Sequence, residues 1–169
     1  MEKVASTSSE LKAENIFSLL SAIPDPEVPA INIHELGVLR KVELIDDSFL
    51  ITITPTYSGC PAMHAIEEEI KKVLTENNIS NFKIKTILFP AWTTDWMSDD
   101  AKAKLTAYGI APPTHSTTQK HFRPDEVTLA CPFCKSEQTV LKSWFGSTAC
   151  KALYRCLACK EPFEHFKPI

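Results

Sequence analysis

The sequence of 169 residues predicts an α/β protein of the α+β type, in which a small mixed sheet with helices in the order αββαβα is followed by a C-terminal β-hairpin domain. Alternating apolar residues mark three strands, and apolar residues at helical spacing mark three helices. Five of the six cysteines lie after residue 130. We therefore divide the chain into a domain at 1–112, a linker at 113–126 and a cysteine-rich domain at 127–169.

The first helix and the segment after it are predicted from polar and proline-rich residues. Residues 1–8 are expected to be disordered, and Ser8 or Ser9 is expected to cap a helix that ends before Pro24. Three prolines within residues 24–29 restrict the backbone on both sides of each ring. This segment is therefore predicted to be a rigid, extended connector.

A β-hairpin is predicted next. Residues 38–45 alternate apolar and charged side chains. In residues 48–54, Phe49, Ile51 and Ile53 alternate with Leu50 and two threonines, which is the period-two pattern of a strand. Asp46 and Asp47 lie between the two runs, where a tight turn is expected.

The stretch 54–62 joins the second predicted strand to a helix that runs to about Asn77. Pro61 suits the first helical position, which makes Cys60 the predicted N-cap residue. A thiol at this position faces free backbone N–H groups and the positive end of the helix dipole, which favour a thiolate. Cys60 is therefore a candidate nucleophile or metal ligand, and a small buried hydrophobe is the alternative.

The third strand and third helix complete the first domain. Residues 82–90 contain an alternating run that stops at Pro90. Ser98 is the predicted N-cap of a helix with two acids in its first turn, and Gly109 ends it. A strand reached over a helix, added to a hairpin, predicts a mixed sheet.

Charge and hydropathy narrow the class of protein. Residues 1–126 hold 12 Lys and Arg against 18 Asp and Glu, net −6, whereas residues 127–169 hold 6 against 3, net +3. The acidic body argues against a dedicated nucleic-acid binder. The sequence contains no signal-peptide pattern and no apolar run long enough for a membrane span, so a cytoplasmic protein without membrane contact is expected.

Two CxxC pairs predict a metal site in the last 43 residues, which are too few for a core without further stabilisation. The four predicted ligands are Cys131, Cys134, Cys156 and Cys159. Each pair directs two thiolates at one ion, and two pairs complete the tetrahedral shell that zinc favours. A structural zinc ribbon is therefore predicted, with iron in the same four-thiolate cage as the chemical alternative.

Two further residues of this segment have less specific patterns. Cys150 is interpreted as a packed thiol, with a reactive thiol activated by the neighbouring Lys151 as the alternative. His165 is expected on the surface of the last strand.

Several spaced motifs, in a fixed order, resemble a known family. They are Asp25-Pro26-Glu27-Val28-Pro29, Glu35-Leu36-Gly37-Val38, Thr54-x-Thr56-x-Ser58-Gly59-Cys60-Pro61 and Pro90-x-Trp92-Thr93-Thr94-Asp95-Trp96-Met97-Ser98. Residues 12–112 thereby resemble the SufT-like family of metal-sulfur cluster assembly proteins. With the cysteine-rich segment, which contains Phe145-Gly146-Ser147-Thr148-Ala149-Cys150-Lys151, the whole chain resembles the PaaD-like (also PaaJ) accessory proteins of the phenylacetyl-CoA oxygenase, or 1,2-phenylacetyl-CoA epoxidase, system.

This resemblance implies a role in maturing or delivering an iron-sulfur cluster to the oxygenase reductase in phenylacetate degradation, with no turnover by this chain. Carried over residue by residue, it implies that Cys60 holds or passes a transient cluster, that Asp25 and Glu27 flank it, and that Thr54 and Thr56 shape its pocket. The implied partners are the oxygenase components, above all the iron-sulfur reductase, together with iron-sulfur scaffold proteins and a second copy of the chain.

Two other classes of function remain open at the level of the residues. One is a zinc-ribbon nucleic-acid or protein adaptor without cluster-transfer activity, because the C-terminal segment is mildly basic. The other is a thiol enzyme with Cys60 as nucleophile, for which His64 is the one local candidate base.

Overall fold

A computed structural model of the chain describes residues 3–113 and 129–168. Its helices and strands are α1 Lys3–Leu20, β1 Leu39–Ile45, β2 Ser48–Ile53, α2 Ala62–Glu76, β3 Phe82–Thr86, α3 Asp99–Tyr108, β4 Ile110–Ala111, β5 Thr139–Ser143, β6 Lys151–Cys156 and β7 Pro162–Phe166. The predicted order αββαβα and the C-terminal strands are confirmed. None of the helices in the described ranges is both long enough and apolar enough to span a membrane.

The contacts divide the chain into two compact units, Met1–Trp92 and Thr93–Ile169. This division lies before residue 112, where the sequence places the end of the first domain, and most of the predicted linker at 113–126 lies outside the described residues. The functional domain boundaries therefore stay a prediction.

The N-terminal unit contains a three-stranded mixed sheet in the order β1-β2-β3. Strands β1 and β2 pair antiparallel, and β2 and β3 pair parallel over α2 as the crossover. Asp46 and Asp47 both have positive φ, 47° and 60°, which is the backbone of a two-residue hairpin turn that follows the strand twist. The hairpin prediction is confirmed.

Buried side chains of this unit follow the predicted periodicities. Helix α2 buries one stripe, Ala62, Ile66, Ile70 and Leu74. The central strand β2 contributes Ile51 and Ile53, both fully buried. Glu68 and Glu69, outside this stripe, form solvent-exposed ion pairs with Lys71 and Lys72, three residues later in each case. Spacing alone is therefore sufficient to find this part of the core.

Helix α1 differs from its prediction. It begins at Lys3, so the predicted disorder of residues 3–8 and the predicted cap at Ser8 or Ser9 are wrong. The segment contains no glycine or proline, and serine within a helix costs only a few tenths of a kcal/mol, so nothing local stops the helix at these serines.

The C-terminal unit contains a four-stranded sheet in the order β4-β7-β6-β5. Strands β5, β6 and β7 pair antiparallel, and the short β4 pairs parallel with β7. Its core is formed by Ala111, Leu129, Cys131, Ala152, Tyr154, Cys156 and Phe163. Strand β4, which directly follows α3, is thus part of the cysteine-rich sheet.

Both ends of α3 are capped as predicted. The Ser98 hydroxyl accepts a hydrogen bond from the Ala101 N–H at 3.0 Å. Gly109 adopts a left-handed conformation with φ of 92° at the C-cap, a backbone that glycine tolerates.

Candidate functional site

The loop that carries Cys60 leaves the end of β2 and leads into α2. Pro61 is the N-cap residue and already has helical angles, with φ −68° and ψ −24°, so the prediction that Cys60 is the N-cap is wrong. The helix thus begins at Ala62, one residue later than predicted, although the proline ring already holds φ of Pro61 at a helical value. The Cys60 N–H donates to the Tyr57 carbonyl at 3.2 Å, and the Cys60 carbonyl accepts from the Met63 N–H at 3.3 Å.

This loop leaves the thiol accessible. Ser58 and Gly59 are exposed and Cys60 is partly buried. Gly59 has φ of 83°, and an added side chain there would meet nothing within 4 Å, so the loop tip faces open space. His64, the candidate base, is exposed in the first turn of α2. Cys60 is therefore a partly exposed residue beside an exposed loop tip.

Thr54 is a junction between three segments of the N-terminal unit. Its N–H donates to the Val38 carbonyl at 2.9 Å. Its hydroxyl donates to the Ile87 carbonyl at 2.8 Å, and its side chain is almost fully buried. Thr54 therefore ties the start of the Cys60 loop to the segment before β1 and to the segment after β3. Thr56, two residues on, is also buried.

Asp25 organises the proline-rich connector. One of its carboxylate oxygens accepts hydrogen bonds from the N–H groups of Glu27, at 3.0 Å, and of Val28, at 2.8 Å. The Asp25 N–H donates to the Ile31 carbonyl at 2.9 Å. The Asp25 side chain is buried, whereas Glu27 is partly exposed. Of these two acids, Glu27 is the more accessible to a ligand.

A further anchor links the turn before β1 to the segment after β3. Asn32 and Glu35 bond reciprocally, each side chain accepting from the other residue's N–H, which closes the turn. The buried Trp92 indole donates to the Leu36 carbonyl at 2.9 Å. Packing is the role that its residue type predicts for Trp92. No local sequence pattern predicts the hydrogen bond between Trp92 and Leu36. The one signal in the sequence is that both residues belong to motifs on which the family resemblance rests.

Five residues are predicted to handle a cluster, and the structure separates them by accessibility. Asp25, Thr54 and Thr56 are buried, and the first two hold backbone groups in place. Glu27 and Cys60 are partly exposed. The hydrogen bonds join the connector, the turn and the ends of β2 and β3, and Cys60 is attached to this network by the loop that starts at Thr54.

The four cysteines predicted to bind a metal come together in the C-terminal unit. Their sulfur atoms all lie within 4.8 Å of one another. Sγ of Cys131 lies 3.8 Å from that of Cys159, and Sγ of Cys134 lies 3.5 Å from that of Cys156. Zn–S bonds of about 2.3 Å in a tetrahedron require sulfur atoms about 3.8 Å apart, so the group fits one tetrahedral ion.

Backbone donors support this metal site. The Cys159 N–H donates to the Cys156 sulfur at 3.5 Å. Hydrogen bonds to the Cys156 sulfur, of which this one contributes most, lower the pKa of the Cys156 thiol to about 6 and favour the thiolate that a metal ion requires. Cys131 and Cys156 are buried, and Cys134 is exposed at the edge.

Cys150 and His165 lie outside this four-thiol group. Cys150 is buried, as the packing interpretation predicts, and its sulfur lies 3.0 Å from the Thr148 hydroxyl. His165 is fully buried, so its predicted surface position is wrong. Strand β7 is an inner strand between β4 and β6, and the His165 ring packs edge-on against the Tyr154 ring, with the two ring centroids 5.8 Å apart. Burial lowers the pKa of His165 to about 4, and its neutral ring is held by a 3.2 Å hydrogen bond from Nδ1 to the Ala111 carbonyl.

Comparison with known proteins gives two family matches. Residues 13–78 match the model of an iron-sulfur cluster assembly protein, and residues 114–167 match that of the PaaD zinc beta ribbon domain. Together they cover both the Cys60 loop and the four-cysteine group.

Individual relatives agree with these matches. The chain is 45% identical, over all of both chains, to an Escherichia coli K12 protein provisionally named as a component of 1,2-phenylacetyl-CoA epoxidase. It is 34% identical to an Fe-S protein maturation auxiliary factor of Porphyromonas gingivalis, over 54% of this chain and 89% of the other. A crystal structure of a DUF59 domain from Bacillus anthracis has a TM-score of 0.55 and 30% identity, and the match covers 59% of this chain and 96% of that one.

Proposed function

The chain belongs to the family that joins an iron-sulfur cluster assembly domain to a PaaD zinc beta ribbon domain, and on this premise we propose that it is an accessory protein of the phenylacetyl-CoA oxygenase system. Its general role is iron-sulfur maturation. Its specific task is to mature or deliver the cluster of the reductase component used in phenylacetate degradation. The chain has no turnover of phenylacetyl-CoA of its own in this scheme.

The observation that carries the proposal is the accessible thiol of Cys60 on a firmly mounted loop. A donor must bind a cluster and also release it, so an accessible cysteine suits transfer better than a closed four-cysteine cage. Thr54 fixes the start of the loop through two hydrogen bonds, and α2 fixes its end. The thiol is therefore presented to a partner from a rigid base.

Cys60 cannot hold a cluster without further ligands, because an iron-sulfur cluster takes four. The other ligands come from the acceptor, a second copy of the chain, an iron-sulfur scaffold protein or small thiols. Of the two acids that the family resemblance places beside Cys60, Glu27 is the more exposed and is the one assigned to face the cargo. The buried Asp25, Thr54 and Thr56 act as positioning residues that hold the connector and the loop.

We propose that zinc is the resident ion of the second site, held by Cys131, Cys134, Cys156 and Cys159. When bound, zinc supplies structural stabilisation and no redox chemistry. The spacing of the sulfur atoms and the hydrogen bond from the Cys159 N–H to the Cys156 sulfur support a closed four-thiolate shell. Metal analysis of the purified chain is expected to find about one zinc per chain, and one iron in its place would overturn this assignment.

The transfer role is tested by co-expressing the oxygenase components with wild-type chain or with Cys60→Ala. Iron and acid-labile sulfide are then measured in the purified reductase. Cys60→Ala is expected to leave most of the reductase without its cluster, whereas Ser58→Ala, an exposed change in the same loop, is expected to leave cluster content unchanged. Normal cluster content with Cys60→Ala would refute the transfer role and favour a zinc-ribbon adaptor.

A further inference from the structure

Leu88 and Phe89 form an exposed apolar pair in the N-terminal unit. Phe89 is 89% exposed and Leu88 is 64% exposed. Removing a large apolar side chain from water lowers the free energy of the system. Two adjacent apolar side chains that stay in solvent are therefore unfavourable unless a partner covers them. The pair is therefore a candidate contact surface.

The backbone around this pair is held at both ends. Before it, the Ile87 N–H donates to the Ile53 carbonyl at 2.9 Å, and the Ile87 carbonyl accepts from the Thr54 hydroxyl. After it, the buried Trp92 donates to Leu36. Because its ends are anchored, the segment presents its two apolar side chains from a preorganised backbone, which lowers the entropic cost of binding.

The sheet places this pair near the start of the Cys60 loop. Strands β2 and β3 are parallel, and their last paired residues are Ile53 and Thr86. The segments that follow these two strands therefore leave the sheet at the same end, one toward Cys60 and the other toward Leu88 and Phe89. The hydrogen bond from Thr54 to Ile87 joins the two exits directly.

The N-terminal unit that carries the pair is acidic overall, although Lys83 and Lys85 lie on the strand that leads into the pair. The Thr86 hydroxyl donates to the Glu67 carboxylate at 3.1 Å, which places an acid beside the segment that enters Leu88. Residues 1–92 as a whole hold 8 Lys and Arg against 13 Asp and Glu, net −5. A partner that docks here is therefore complementary if its apolar patch is bordered by Lys or Arg.

We propose that Leu88 and Phe89 are the docking surface for the iron-sulfur protein that accepts the cluster from Cys60. This inference rests on the proposed function. The acceptor's thiolates must reach a cluster that is still bound to Cys60, so the contact surface has to border that loop. The acceptor presents an apolar patch, rimmed by basic side chains, next to its own cluster cysteines.

Binding of the full-length chain to the apo form of the iron-sulfur reductase component tests this surface. Phe89→Ser is expected to raise the Kd about tenfold or more, because a buried aromatic contact is lost. The matched control is Ile45→Ser, since Ile45 is 47% exposed at the opposite end of the same sheet, and its Kd is expected to stay within about twofold. Affinity of the wild type is expected to fall as salt rises.

A photocrosslinking amino acid at position 89 identifies the occupant. A crosslink to the reductase near its cluster cysteines supports the proposal. A crosslink to a second copy of the chain, or none above that obtained at position 45, overturns it, as does an unchanged Kd for a folded Phe89→Ser variant.

The docking surface and the proposed function fail in different ways. The Cys60→Ala chain is expected to keep its affinity for the apo reductase, since the docking residues are unchanged. If Cys60→Ala still fills the reductase while Phe89→Ser weakens binding, the transfer role is wrong and the docking surface stands. If Cys60 is required but Phe89→Ser binds and delivers normally, the docking surface is wrong.

Discussion

Replacing Thr54 by valine tests whether this residue is the junction that mounts the Cys60 loop. The change keeps the branched shape of the side chain and removes one hydroxyl group. That hydroxyl donates to the Ile87 carbonyl at 2.8 Å from a side chain that is 1% exposed. The variant therefore isolates one hydrogen bond between the ends of β2 and β3.

The expected cost follows from the burial of the two partners. Leaving a buried acceptor without its donor costs about 1–3 kcal/mol. Thr54 is buried, but Ile87 is partly exposed and water can reach part of its surroundings. The loss in the free energy of unfolding is therefore expected in the lower half of this range, about 1–2 kcal/mol.

Hydrogen exchange of the buried amides in β2 and α2 is the measurement, because it reports the opening free energy of this unit directly. Ile51 and Ile70 are suitable reporters since both are fully buried. Thr86→Val is the matched control. Its hydroxyl also donates from the end of a strand, to Glu67 at 3.1 Å, but it is exposed, so a change below about 0.5 kcal/mol is expected.

The two threonine variants are expected to differ clearly. Equal costs would show that the Thr54 hydrogen bond is no more important than a surface one. A cost below about 0.5 kcal/mol for Thr54→Val would also contradict the assigned role, because surface substitutions reach that size.

Two further predictions concern the C-terminal unit and the glycines. Removing the metal with a chelator is expected to abolish amide protection at Ala152 and Tyr154, and at Ile110 and Ala111 through the pairing of β4 with β7, while Ile51 stays protected. Hydrogen exchange with and without added zinc measures this, and protection of Tyr154 without metal would contradict it. Gly59→Ala is expected to cost about 1–2 kcal/mol, from its φ of 83° alone. Gly109→Ala, with φ of 92°, is expected to cost more, because its new Cβ would lie 3.0 Å from the Phe133 ring. Urea unfolding compares the two, and an equal or smaller cost at Gly109 would show that this contact is not tight.

Local signals in the sequence predict much of the fold. The alternation on both sides of Asp46 and Asp47 is sufficient for the hairpin, and the Ser98 and Gly109 caps are sufficient for α3. Such features depend on residues within a few positions of one another, so spacing and residue type specify them. The start of α1 and the N-cap of α2 differ from their predictions because short-range signals at helix termini are weak.

The metal centre is equally accessible to sequence reasoning. Two CxxC pairs predict four thiolates on one ion, and the sulfur atoms of those residues do lie within 4.8 Å of one another. The surroundings of the centre are less predictable. His165 is expected at the surface but is fully buried on an inner strand, and the pairing of β4 with β7 has no local signal in the sequence.

By itself, the sequence determined most of the helices and strands, the grouping of the four cysteines and the motifs around Cys60, because each depends on residue type and short spacing. The tertiary structure decided which of these motifs meet. Parallel pairing of β2 with β3 brings the start of the Cys60 loop and the Leu88–Phe89 segment to the same end of the sheet, where both strands finish. Hydrogen bonds from Thr54 and Trp92 then join this end to the turn before β1. Most of these contacts connect residues more than thirty positions apart, and strand register sets them, which no local pattern encodes.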